Sequence, residues 1–241
     1  MIALHTPCLA HIYRPRLLDA MLQVGDVLGW KQTVPKHQTC CGLPAWEAGY
    51  QDATRAAARR TIHLFEDAAT VLTPSASCLP MLTQYIPELL ADYPEAEAAQ
   101  ALAQKTESWC CEVAEQGAAL LPHLQFSGRV MLLSACPTPP CTDFRAFLSA
   151  VQGLRMIDPP GDCPSFSHDL ARRHPDIAAG IAETFARPLY SSRVDVILIN
   201  EPGSLMQLAP YFTKKHPRLL HPAEFLAAIL HENSKTYVKP A

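Results

Sequence analysis

Ile2-Ala3-Leu4-His5-Thr6-Pro7-Cys8 stands near the start of the chain, and Val130-Met131-Leu132-Leu133-Ser134-Ala135-Cys136 begins the second half in the same manner. Each is a short apolar run that leads to a cysteine. After Cys8, a segment with helical spacing runs from Arg16 to Val27 and stops at Gly29. After Cys136, Phe144, Phe147, Leu148 and Val151 recur at helical spacing and stop at Gly153. The parallel continues further along. Cys40-Cys41-Gly42 precedes a helical stretch at 51–66, as Cys163-Pro164-Ser165 precedes one at 175–186. Strands are expected next at 69–73 and 194–199, each leading into a polar turn and a helix. The turns are Pro74-Ser75-Ala76-Ser77-Cys78 and Asn200-Glu201-Pro202-Gly203-Ser204, and the helices centre on Met81 and Gln207.

Strands that alternate with helices predict parallel sheets. The expected fold is therefore α/β, with two tandem Rossmann-like repeats related by pseudo-two-fold symmetry, residues 1–122 and 123–241. Ligand sites in such units lie beyond the carboxyl ends of the strands. Cys8, Cys78, Cys136 and Ser204 fall at those ends, so side chains able to carry chemistry should gather there.

Of the 241 residues, 49% are hydrophobic and 18% charged, and the 22 prolines are scattered, a globular profile able to bury a substantial core. A net charge of −3 and a pI near 6.3 supply no basic stripe for nucleic acid. The longest apolar runs, 196–199 and 225–230, are far shorter than the roughly 20 residues of a membrane span. The opening MIALHTPC lacks the basic region of a signal peptide, so a cytoplasmic location is expected. Nine cysteines would stay reduced there, and clustered ones are read as metal ligands or redox groups before disulfides. GxGxxG, P-loop and GxSxG motifs are all missing, which leaves NAD, a nucleoside triphosphate and a serine nucleophile without support; flavin has no motif either.

Cys8 and Cys78 are expected at neighbouring strand ends, with the Cys40-Cys41 pair in a loop between them. Adjacent residues on a regular strand point to opposite faces, so two vicinal thiols reach one centre only through an irregular turn, which Gly42 makes accessible. Cys78 also opens a predicted helix, whose free amides and dipole favour a thiolate. These four cysteines are candidate ligands of one metal centre. Four buried small hydrophobes would be the plainest reading, but strand-end and loop positions rarely collect cysteine by accident. A Cys₄ zinc site is the stronger rival, although zinc sites commonly use closely spaced C-x₂₋₄-C pairs. Thiol–disulfide chemistry at Cys40-Cys41 ranks last, since a vicinal disulfide is strained.

The segment CCGLPAWEAGY at 40–50, TPSASC at 73–78 and LLHPAEFL at 219–226 resemble the CCG-type cysteine-rich iron–sulfur family. Its members include lactate-utilisation protein A, the iron–sulfur subunit of glycolate oxidase and the cysteine-rich subunit of heterodisulfide reductase. The resemblance implies one iron–sulfur cluster, [4Fe-4S], on Cys8, Cys40, Cys41 and Cys78. It further implies a non-autonomous electron-transfer subunit of an oxidoreductase complex, with other iron–sulfur subunits as partners and L-lactate or a related 2-hydroxy acid as substrate. A non-redox zinc-binding scaffold subunit is the alternative. Heterodisulfide reductase subunits often have a further cysteine where this chain has Met81. The second repeat keeps only Cys136 and Cys163, with Pro164 and Ser204 at the other two ligand positions, so its site is read as vestigial.

Cys141 and His168 could join Cys136 and Cys163 in a Cys₃His zinc set, but the proline-rich turn around Cys141 and the spacing of His168 favour an empty pocket. Cys110 and Cys111 lie in a predicted helix and diverge by about 100°, so they are expected to be structural. His5 and His37 stand near the candidate ligands and could donate hydrogen bonds to a cluster, though a supporting or surface role is the default.

Overall fold

A computed structural model describes residues 1–133, 142–161, 167–212 and 217–233. The first apolar run forms β1 (Ile2–Leu4), followed by α1 (Cys8–Tyr13), α2 (Arg16–Val27) and the short β2 (Gln32–Thr33). The CCG segment leads into α3 (Leu43–Glu47), and then come α4 (Gln51–Leu64) and β3 (Thr70–Thr73). α5 (Cys78–Pro80) continues through a π-turn at Met81–Tyr85 into α6 (Ile86–Leu89). α7 (Ala96–Gln104), β4 (Thr106–Ser108) and α8 (Trp109–Gln116) complete the first unit.

The second unit repeats the alternation with β5 (Gln125–Leu133), α9 (Thr142–Ser149), β6 (Gln152–Ile157), α10 (His168–Arg173) and α11 (Pro175–Tyr190). It ends with β7 (Val196–Ile199), α12 (Pro202–Leu208), β8 (Arg218–Leu220) and α13 (Pro222–Asn233).

The chain is thus α/β with two four-stranded sheets, ordered β2-β1-β3-β4 and β6-β5-β7-β8, and every pairing is parallel. The same strand order occurs twice, in line with the tandem repeat legible in the sequence. β2 and β3 flank β1 on opposite sides, so the strand order reverses between β1 and β3, the place where such sheets put their ligand sites. The loops to Cys8 and Cys78 leave from the ends of these two strands.

Strand alternation explains the layers. Leu4 and Leu72 point into one apolar cluster, while Ala3 and Val71 point into another on the opposite face. Val130, Leu132, Val196 and Leu198 join the first cluster, and Met131, Leu133, Ile197 and Ile199 form a third. The first cluster is therefore shared: Met21, Val24 and Trp109 of the first unit pack with Phe144, Leu148 and Phe225 of the second. Helix α13 lies on α2, and α9 lies on α8. Burying each large apolar side chain is worth roughly 1.5–3 kcal/mol. The Arg14–Glu224 ion pair across the same boundary adds about 1 kcal/mol or less, so apolar burial dominates the joint.

Cys110 is buried in the shared core and Cys111 is partly exposed, as divergent neighbours on a helix must be. Among the described residues no helix is long and apolar enough to cross a membrane.

Candidate metal centre

Three short segments build the site. The N–H of His5 donates to the Leu72 carbonyl at 2.9 Å, carrying the β1–β3 pairing one residue past the strand, and Cys8 then starts α1 after Pro7. Gln38 joins this exit to the cysteine pair: its Oε1 accepts from the Thr6 N–H at 2.8 Å, and its Nε2 donates to the Leu4 carbonyl at 2.9 Å. Gly42 follows the pair at φ 101°, a left-handed conformation, and its carbonyl accepts from the N–H groups of Ala45 and Trp46 at 3.0 Å each to start α3. Trp46 then stacks on Tyr85, with centroids 5.3 Å apart, and so ties the CCG segment to the helix that begins at Cys78.

A Cβ at position 42 would be strained by the positive φ and would meet the Ala57 Cβ at 3.2 Å. Gly42→Ala is expected to lower stability by about 1–3 kcal/mol, seen as a lower denaturant midpoint with an unchanged slope. An unchanged midpoint would mean that the turn tolerates a side chain.

The thiols form a chain of contacts. Cys8 hydrogen-bonds with Cys40, Cys40 with Cys41, and Cys41 with Cys78, the last pair at 3.6 Å between sulfurs. Among the described residues, no three His, Cys, Asp or Glu side chains are disposed around one point to hold a metal ion. Cys41 and Cys78 are buried with Leu43, Met81 and Leu82, whereas Cys8 and Cys40 are half-exposed. The Gly42 N–H points at the Cys40 Sγ, 3.5 Å away, and the Leu9 amide hydrogen-bonds Cys8.

Hydrogen bonding to Cys40, then burial, holds the Cys8 thiol well above its ordinary pKa, against the pull of the Leu9 amide. Cys41 is pushed up in the same direction by hydrogen bonds to Cys40 and Cys78 and by burial. Crowded, desolvated thiols keep their protons until a cation takes their place. A soft donor set of four sulfurs, drawn from three segments and partly met by amides, fits such a metal group.

His5 is buried, its Nδ1 lies 2.9 Å from the Thr73 Oγ1, and burial lowers its pKa to about 4 despite the nearby Cys40. It therefore supports the strand ends as a neutral ring. His37 is exposed and adopts φ 63°. Of the second repeat's candidates, Cys136, Cys141 and Cys163 lie outside the described residues. Ser204 is buried on α12, and its Oγ has no partner among the described residues. Gln38, Ser75, Glu201 and His221 surround the ligand loops although spacing singles none of them out; the TPSASC and LLHPAEFL segments are the only sequence signals near them.

Residues 2–83, which carry all four of these cysteines, Cys8, Cys40, Cys41 and Cys78, match the cysteine-rich CCG domain family. More particularly, the chain is similar to Lactate utilization protein A of Shouchella clausii (strain KSM-K16), 42% identical over 106 residues that cover 44% of each chain. It is also similar to Lactate utilization protein A 2 of Bacillus cereus (strain Q1), 25% identical over 244 residues that cover 94% of this chain and 97% of the other. A hypothetical protein from Helicobacter pylori shares the fold, with a TM-score of 0.66 and 13% identity over 97% of this chain, which spans 49% of that protein.

Proposed function

We propose that this chain is the iron–sulfur electron-transfer subunit of a multi-protein oxidoreductase that converts L-lactate, or a related 2-hydroxy acid, to the keto acid. Cys8, Cys40, Cys41 and Cys78 hold its one [4Fe-4S] cluster, in a first repeat taken as residues 1–122, and the second repeat, 123–241, holds none. The observation that carries this reading is the continuous contact of the four thiols. That contact brings four soft donors to one place, and their sequence separation, with a vicinal pair between two distant single cysteines, differs from the closely spaced pairs of common zinc sites and so supports a cluster.

When bound, the cluster accepts and releases single electrons. The residues around it divide that work. Leu43, Met81 and Leu82 keep water from the inner side, where Cys41 and Cys78 lie. Amides of Leu9 and Gly42 offset thiolate charge. Cys8 and Cys40, half-exposed, form the edge through which electrons pass to a partner iron–sulfur subunit in the cytoplasm. The names of the lactate-utilization relatives support the substrate class.

Iron, zinc and acid-labile sulfide in protein purified without oxygen test the reading. About four irons and four sulfides per chain are expected. One zinc without sulfide would replace this function with the zinc-scaffold role, and about eight irons would place a second cluster in the second repeat.

A further inference from the structure

The loop that presents Cys78 is held along its whole length by the other unit. The His221 Nε2 donates to the Pro74 carbonyl at 2.8 Å. Ser75 Oγ donates to the Glu201 Oε2 at 2.8 Å, and the Ser77 N–H donates to the same oxygen at 2.8 Å. Between them, the Ala76 N–H donates to the Asn200 carbonyl at 3.1 Å. Every residue from Pro74 to Ser77 thus has a partner in the second unit, and α12 also packs against α1, which begins at Cys8.

Glu201 is the centre of this grip. It is 2% exposed, and no cationic side chain pairs with it among the described residues. A buried carboxylate without an ion pair is costly unless several donors converge on it. Its Oε1 accepts from the Gly203 N–H at 3.0 Å and caps α12. Capping alone needs one oxygen, which a serine or aspartate supplies. Among the described residues, the other oxygen serves only the first unit's loop. From there the contact passes on, since Ser75 Oγ accepts from the Cys78 N–H at 3.2 Å.

We infer that Glu201 is a positioning residue for Cys78. Through Ser75 and the Ser77 amide it sets the backbone that aims the Cys78 sulfur at Cys41, and it places a fixed negative charge beside the metal group. The inference rests on the metal-binding role proposed for the four cysteines. In this view the turn at 200–204, which carries Ser204 in place of a cysteine, serves the first repeat as a clamp.

The test uses the full chain, purified and loaded without oxygen, as wild type, Glu201→Gln, Ser75→Ala, the double variant, and Glu183→Gln as a surface charge control. Glutamine keeps the shape but turns an NH₂ toward an N–H. Glu201→Gln is expected to release iron to a chelator about 10–100-fold faster than wild type. Its reduction potential should move in the positive direction, because reduction adds charge that Glu201 repels. Ser75→Ala should accelerate release less, and the double variant should match Glu201→Gln, as groups acting in series do. Glu183→Gln should match wild type.

Wild-type release rate and potential in a folded Glu201→Gln protein would overturn the inference. If that variant does not fold, Ser75→Ala decides, and an unchanged release rate there overturns it equally. Should the wild type carry zinc, the redox function fails while zinc release from the same variants still decides the positioning claim. A wild type that binds no metal overturns both.

Discussion

Cys40→Ser/Cys41→Ser protein, purified without oxygen, is expected to hold less than about a tenth of the wild-type iron and sulfide. Cys41 lies in the middle of the contact chain and touches both Cys40 and Cys78, so the double substitution removes two adjacent links at once. A serine hydroxyl is a hard oxygen donor that does not ionise at neutral pH, and it cannot replace a thiolate toward a soft metal group. The group proposed to bind there should also report on folding, because Cys41 and Cys78 belong to the apolar cluster that packs the first sheet's outer face. Loss of the group should lower the unfolding midpoint of the double variant relative to loaded wild type. Cys110→Ser supplies the contrast. Cys110 is just as buried but sits in the shared core on α8, so its replacement should cost about 1–3 kcal/mol of stability and leave the iron content intact. Full iron in the Cys40→Ser/Cys41→Ser protein would remove these residues from the ligand set.

A second large effect is expected at His221, read as stability against pH. His221 precedes α13, its backbone N–H donates to the Glu224 Oε2 at 2.9 Å, and its Nδ1 accepts from the Ala223 N–H at 3.1 Å. Because Nδ1 accepts, the proton sits on Nε2, which donates to the Pro74 carbonyl. The neutral ring is thus fully bonded, and a second proton has no acceptor. Burial lowers its pKa from 6.5 to about 4; the bond to Pro74 and the charge of Glu224 oppose this, and Arg14 assists it.

The unfolded imidazole takes up a proton near pH 6.5, whereas the folded one resists until about pH 4. Between these values the unfolded chain binds the extra proton, so acidification favours unfolding. The interval corresponds to about 3 kcal/mol, at about 1.4 kcal/mol per pH unit. Above pH 7, His221→Asn should be less stable than wild type by about 2 kcal/mol, since it leaves the Pro74 carbonyl without its donor. As pH falls from 6.5 to 4, wild type alone should lose the further amount, so the two stability curves converge and cross. Carboxylates titrate in both proteins and cancel in the difference. Parallel curves from pH 7 to 4 would show that His221 is not held neutral by the fold.

Much of the architecture is legible before any coordinates. Apolar residues at helical spacing over Arg16–Val27 become α2 with those limits, and the repeated strand, cysteine, helix and glycine becomes two sheets of identical order. Where the signal is weak, elements go unseen: β2 is two residues, Gln32–Thr33, half-buried at an edge, with no alternation to read. The π-turn at Met81–Tyr85 is equally silent, because helical spacing does not distinguish it from an α-turn.

Local facts are written in the residues themselves: which segments alternate, that cysteines stand beyond the central strands, and that Gly42 must take a turn closed to other residues. These follow from periodicity and from backbone sterics, which act over a few residues. Long-range packing alone settles that Trp46 lies on Tyr85, that one core serves both units, and that Asn200, Glu201 and His221 hold the loop before Cys78. Glu201 meets Ser75 across 126 positions, and His221 meets Pro74 across 147. Such pairs are set by how two sheets and the helices between them bury a common apolar face, and no local pattern records that.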